Sequence, residues 1–200
     1  VADGSLKVLR ILSDASAVIA KGEVMQLMTE GEPQTTIQNY LDVVSAKTAV
    51  LFASACELGA VVSEKPELES KLRNFGMSIG TAFQLIDDAL DYVADEKSLG
   101  RSVGDDFREG KVTLPIILAY EAGSSEEKNF WTRTLSDLNQ CNEDLQQAIS
   151  LLEKHQSIAK TISMAGEYCE NARQELMAFP PSLSRTALFD LVDFCANRAY

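Results

Sequence analysis

Apolar residues recur along most of this chain at intervals of three and four, the spacing that gives an α-helix one buried face. Over roughly residues 5 to 29 the stripe runs Leu6, Leu9, Leu12, Ala15, Val18 or Ile19, and Val24. Gly22 interrupts it, at a cost of about 1 kcal/mol against Ala; a closely packed neighbour and a tolerated surface glycine explain it equally well. Gly31 to Pro33 ends this segment, and Thr35 with Gln38 has the spacing of a capping box for a second helix that reaches about Ser63. Its stripe is Leu41, Val44, Thr48, Leu51, Ala55 and Leu58. Pro66, at a position where a missing N–H does no harm, opens a third helix that the pattern carries to about Asp95. Gly76, Gly80 and Ala82 form a ridge of small residues on it, which packing against another helix explains.

The periodicity then lapses. Residues 96–112, EKSLGRSVGDDFREGKV, mix charge with glycine and read as a loop. Loops this long in compact helical domains tend to be functional lids or disordered. Thr113 as cap and Pro115 in the first turn start a short apolar helix, TLPIILAYEAG. Beyond Gly123, residues of about 126–138, 143–154, 157–178 and 184–199 keep helical periodicity with polar outer faces, and Pro180-Pro181 separates the last two. Phe130 and Trp131 read as packing. His155, the single histidine, falls between two helices and reads as a surface residue with no catalytic part.

Composition narrows this picture to one all-α domain spanning residues 1–200, with aromatics at only 7% and few β-branched runs. A net charge of −12 and a pI near 4.5 argue against nucleic acid and against electrostatic attachment to anionic lipid. No apolar run approaches the ~20 residues of a membrane span, and no charged-then-apolar leader opens the chain. Cys56, Cys141, Cys169 and Cys195 form no CxxC pair, so reduced, buried thiols in a cytoplasmic protein are expected. The chain starts at Val1 and runs almost at once into helical pattern, which reads as an N-terminus cut from something longer.

The chemistry concentrates at FQLIDDALDYVAD, residues 83–95. On a helix Asp87 and Asp91 are one turn apart on one face, with Gln84 below, Asp95 above and Asp88 at the flank. Like charges at i, i+4 destabilise a bare helix, and Asp is a poor helix former. A solvated acidic face is the commoner explanation for such a triplet. Here Phe83, Leu85, Ile86, Leu90, Tyr92 and Val93 crowd it, so the carboxylates read as lining a cavity that holds a hard cation such as Mg²⁺. Arg101, Arg108 and Lys111 follow closely, and carboxylates for Mg²⁺ beside converging cations are what a diphosphate requires. Lys47, beside Thr48, could bind an anion, although a lone Lys next to a core stripe is usually a snorkelling surface residue.

FQLIDDALDY followed by LGRSVGDDFREGKVTLPIILA resembles the second aspartate-rich region of the trans-isoprenyl diphosphate synthases, or polyprenyl synthetases. GEVMQL at 22–27, KTAVLF at 47–52 and the closing FPPSLSRTALFDLVDFCANRAY resemble further blocks, so the likeness covers essentially the whole chain and leans towards the octaprenyl or decaprenyl branch. It implies an all-α isoprenoid synthase bundle. It also implies Mg²⁺-dependent condensation of isopentenyl diphosphate onto an allylic prenyl diphosphate, and a homodimer. By the same resemblance Asp87, Asp88 and Asp91 bind Mg²⁺, supported by Gln84 and Asp95, while Lys47, Thr48, Arg101 and Lys111 contact diphosphate. Arg101 stands where many relatives have Lys, exchanging a point charge for a planar fork. Asp106 matches a family aspartate, and Arg198 is a weaker candidate.

The family's first aspartate-rich motif is absent, since Asp105-Asp106 does not continue as a second DDxxD. The chain therefore reads as the C-terminal part of a synthase, inactive alone. The competing expectation is a non-catalytic or regulatory subunit that pairs with a prenyltransferase.

Overall fold

The computed structural model describes residues 4–93 and 103–198. Among them every regular element is helical, as the expected all-α class requires. In order they are α1 Leu6–Thr29, α2 Ile37–Val44, a π-helical turn Ser45–Ala49, α3 Val50–Val62 and α4 Pro66–Leu90. There follow α5 Asp105–Arg108, α6 Leu114–Ala122, α7 Ser125–Trp131, a second π-helical turn Thr132–Ser136, α8 Asp144–Lys154, α9 Ser157–Leu176 and α10 Leu183–Asn197.

Local chemistry sets most boundaries. Ser5, Thr36, Ser124 and Ser182 each accept a backbone N–H from the first turn, and Ser124 with Glu127 completes a capping box. The second helix is thus capped by Thr36, one residue later than Thr35. Pro66 occupies the first turn of α4 as expected. Thr113 stands at the N-cap of α6 without making a capping bond. The third helix ends at Leu90 with Asp91 as its C-cap, short of the expected Asp95, and the stretch read as a loop contains α5.

α4 is the central helix, packed along its length against α3 and α9. The small-residue ridge makes this possible: a Cβ on Gly76 would lie 2.5 Å from the Phe52 carbonyl oxygen, and one on Gly80 would lie 2.8 Å from Ala49 Cα. One core joins Tyr40, Phe75, Ile79, Leu85, Ile86, Leu114, Ile117 and Val192; a second gathers Tyr92, Phe107 and Ile116 around the fully buried Trp131. Phe130 and Trp131 pack edge to face at 5.1 Å, in keeping with their reading as core.

Several expectations are corrected. On α1 the buried residues are Ile11, Ala15 and Gly22, whereas Leu6 is 82% exposed and Leu9, Leu12 and Val24 are also exposed. The helix docks through its narrow small-residue face. Beyond the first π-turn, one extra residue per turn rotates the chain away from a uniform period. Leu51 is consequently 56% exposed, while Ala49, Val50, Ala53 and Ser54 are buried. Residues Ile37–Val62 form one run long and apolar enough to cross a membrane by length and composition, although Asp42, Lys47 and Glu57 interrupt its apolar residues. In the fold this run packs against α1 and α4. Cys141 is exposed, so the thiols are not all buried. His155 is half-buried and bonds Glu127 at 2.9 Å, a tie between α7 and the end of α8.

Gly76→Ala is expected to destabilise the folded protein by about 2 kcal/mol, because a clash with backbone outweighs a gain of about 1 kcal/mol in helix propensity. The exposed Gly166 in α9 has nothing within 4 Å of its Cβ position, so Gly166→Ala should show the propensity gain alone. Denaturant unfolding of both variants measures the contrast.

Candidate active site

The last two turns of α4 carry Gln84, Asp87 and Asp88, and Asp91 caps the helix. Asp88 is the innermost of the acids, not the flanking one. Its Oδ2 accepts a 2.6 Å hydrogen bond from the Tyr40 hydroxyl and its Oδ1 a 2.7 Å bond from Gln84 Nε2. Burial pushes this carboxyl up to about 7 even though Tyr40 and Gln84 stabilise the charged form. Tyr40 is likewise raised, by burial and by the adjacent Asp88 charge. Periodicity misplaced Asp88 because α2 closes over that side of α4 and seats Tyr40 there.

The network continues. Gln84 turns its amide nitrogen towards Asp88 and, because an amide has one donor end and one acceptor end, its oxygen outward. That oxygen accepts the Thr48 hydroxyl proton at 3.0 Å. With its one proton committed, Thr48 offers lone pairs to any further partner.

Thr48 and Lys47 lie on the first π-turn, and glycines hold it from two sides. Cβ atoms on Gly22 of α1 and Gly80 of α4 would sit 2.8 Å from Lys47 N and Ala49 Cα respectively. Gly22 is therefore a close-packing glycine. Lys47 Nζ reaches back to α1, bonding Gln26 Oε1 and pairing with Glu23 at 3.1 Å.

Asp91 joins α4 to α5. Its carbonyl accepts the Gly104 N–H at 2.8 Å, and its Oδ2 accepts the Asp106 N–H at 3.1 Å. Gly104 adopts φ +79°, where a side chain would be strained. Burial and then the Asp106 charge push the Asp91 carboxyl up to about 6. Lys111 pairs with Asp106 at 2.9 Å and Glu109 at 2.6 Å. Burial works against its charge, but these two acids hold its pKa above the ordinary lysine value. Arg198 lies 4.7 Å over the Phe83 ring and 3.9 Å from Asp87.

These groups line one cavity of about 760 Å³. It brings together Lys47, Thr48, Gln84, Asp87, Asp88, Asp91, Asp106, Lys111 and Arg198. Arg101 and Asp95 lie outside the described residues. Sequence reasoning missed Tyr40, Gln26 and Glu23; the signal for Tyr40 was a buried phenol, which needs a partner for its hydroxyl.

Among the described residues, no three Asp, Glu, His or Cys side chains make a ready metal cage. Asp88, 4% exposed, is the deepest of these acids, and each of its oxygens already accepts one hydrogen bond while keeping a further lone pair. The wall formed by Asp87, Asp91 and Asp106 is nonetheless all oxygen. The raised Asp91 reflects its burial first and the neighbouring Asp106 charge second. Such a wall fits Mg²⁺, which keeps waters and takes further oxygens from phosphate.

Residues 2–152 match the family described as polyprenyl synthetase. The chain belongs to this family. It is 39% identical over 196 residues to the octaprenyl diphosphate synthase of Escherichia coli and 36% over 197 to that of Haemophilus influenzae, covering 98% of this chain in each case. The chain spans 60% of the length of each of these two relatives. Among solved structures it superposes with a TM-score of 0.93 on a decaprenyl diphosphate synthase from Rhodobacter capsulatus, at 38% identity over 99% of this chain and 61% of that one. A polyprenyl synthase from Caulobacter crescentus, complexed with calcium and isoprenyl diphosphate, gives 0.93 at 41% identity with the same coverage. The helices described above are therefore those of the isoprenoid synthase fold.

The raised Asp91 makes a prediction with a definite sign. Its folded pKa, about 6, exceeds the ordinary value of about 3.9, so it penalises the metal-free fold above pH ~6 and not below ~4. Asp91→Asn should stabilise the metal-free protein by about 1 kcal/mol at pH 7.5, after discounting for partial exposure, and by nothing near pH 4. Denaturant titrations at both pH values, with chelator, check it.

Proposed function

We propose that the protein containing this chain is a polyprenyl diphosphate synthase, a Mg²⁺-dependent trans-prenyltransferase of isoprenoid biosynthesis. It adds isopentenyl diphosphate to an allylic prenyl diphosphate. The observation that carries this reading is the meeting, in one cavity, of the acid wall Asp87, Asp91 and Asp106 with Lys47, Lys111 and Arg198. Membership of the polyprenyl synthetase family supports it.

In this reading Asp87 and Asp91 hold Mg²⁺, and Asp88 orients Gln84 from behind. Bound Mg²⁺ would supply positive charge to the departing diphosphate oxygens. Lys47, Lys111 and Arg101 would stabilise the same oxygens, their charge counting most as the carbon–oxygen bond of the allylic substrate breaks. Thr48 suits a different task from the diphosphate contact first expected of it. Its lone pairs, and the Gln84 oxygen behind them, suit the electron-poor allylic carbon. The isopentenyl double bond then forms the new carbon–carbon bond, and loss of a proton restores neutrality.

The network Tyr40–Asp88–Gln84–Thr48 argues against a non-catalytic or regulatory subunit, which needs no such arrangement of donors. We place the protein in the cytoplasm as a homodimer. Reduced thiols agree with that compartment, and exposed Leu9, Leu12 and Phe194 agree with further association. These 200 residues, as one domain forming the C-terminal part of the synthase, are read as inactive alone.

The test uses the full gene product with labelled isopentenyl diphosphate and an allylic primer. Chain elongation with Mg²⁺, abolished by chelator and absent from the 200-residue chain, is expected. A full-length protein that elongates nothing under either condition overturns the reading.

A further inference from the structure

We infer that Tyr40 is a positioning residue whose hydroxyl fixes the direction of the hydrogen-bond relay ending at Thr48. The inference rests on the synthase reading and deepens it. Tyr40 is 6% exposed, sits in α2 and belongs to the main core, 48 residues from its partner Asp88 in sequence. Its ring could be held there by packing alone, as a Phe would be. The hydroxyl is the part that packing does not explain.

A carboxylate in the core needs donors on both oxygens. The Tyr40 hydroxyl satisfies Oδ2, which leaves Oδ1 to the Gln84 amide nitrogen. An amide has one donor end and one acceptor end. Holding its nitrogen at Asp88 therefore forces its oxygen towards Thr48, and that oxygen draws in the Thr48 proton. The orientation of a hydroxyl on the cavity wall is thus set three residues away, by a phenol on another helix. Without the Tyr40 hydroxyl, Asp88 Oδ2 lacks its donor, the carboxylate turns to recover one, and the Gln84 amide loses the contact that orients it.

The expected cost falls on the chemical step. Tyr40→Phe in the full-length protein should lower kcat by about 10- to 100-fold while the KM for each diphosphate stays within about twofold, because the change alters no group that grips substrate. Asp88→Asn, which weakens the relay from its other side, should show the same split and guards against a folding defect in a single variant. Thr48→Val removes the end of the relay, so adding Tyr40→Phe to it should cost clearly less than Tyr40→Phe costs in the unmodified protein. A separate readout needs no turnover. In the metal-free protein the Gln84 side-chain amide protons, identified by their loss in Gln84→Glu, should exchange with solvent at least about tenfold faster in Tyr40→Phe. Additive losses with Thr48→Val, a rise in KM at constant kcat, or unchanged exchange would each overturn the role of Tyr40. An inactive wild-type enzyme with faster exchange in Tyr40→Phe would instead overturn the synthase reading and leave the relay standing.

Discussion

A carboxylate removed from water must be compensated by donors or by positive charge, and Asp88 is the place where this fold meets that constraint. Among the described residues no cation lies against it. Two neutral donors, Tyr40 from α2 and Gln84 from its own helix, share the work, and burial still lifts the acid far above its ordinary range. Because neutral donors are directional, the constraint propagates. The amide of Gln84 has one permitted sense, the hydroxyl of Thr48 follows it, and α2 must approach α4 closely enough to bring the phenol within 2.6 Å. The geometry of the cavity wall is a consequence of how one buried charge is solvated.

The backbone is arranged to permit that approach. A π-helical turn is wider than an α-helical one and commonly marks functional sites. This one sits between Gly22 and Gly80, where any side chain would meet main chain. Asp91 also accepts from both Gly104 and Asp106, which ties the end of α4 to the start of α5. The two blocks of sequence with the most distinctive chemistry, DDALD and GDDFREGK, thus meet at Asp91, which also faces the cavity.

Much of this was legible from residues alone. Pro66 at the head of α4 and the acids on its last turns follow from local rules that tertiary structure did not override, whereas the second helix is capped by Thr36 rather than Thr35 and Thr113 makes no capping bond. The errors have a common origin. Periodicity tells which residues share a face, but it does not tell which face is covered, and on α1 the leucine face is the exposed one while Ala15 and Gly22 are buried. The π-turn defeats a fixed period altogether, which is why Leu51 was assigned inward. Asp88 reads as a flank residue from its own segment because its depth depends on α2, whose Tyr40 lies 48 residues earlier and outside any local window. Tyr40 was missed for the same reason, since its importance lies in a partner rather than in its own neighbourhood.

Charge balance gives the cavity its character. Among the described lining residues, seven carboxyl groups stand against Lys47, Lys111 and Arg198. Lys111 is already bound to Asp106 and Glu109, Lys47 lies against Glu23, and Arg198 lies near Asp87. A diphosphate approaching this wall meets a surplus of its own sign, and at short range in a partly desolvated site that repulsion amounts to several kcal/mol. The lysines cannot reverse it without leaving acids unpaired behind them. Extra positive charge would offset that surplus among the described residues. Burial first and the Asp106 charge second lift Asp91 to about 6, and a divalent cation held there would offset that negative charge.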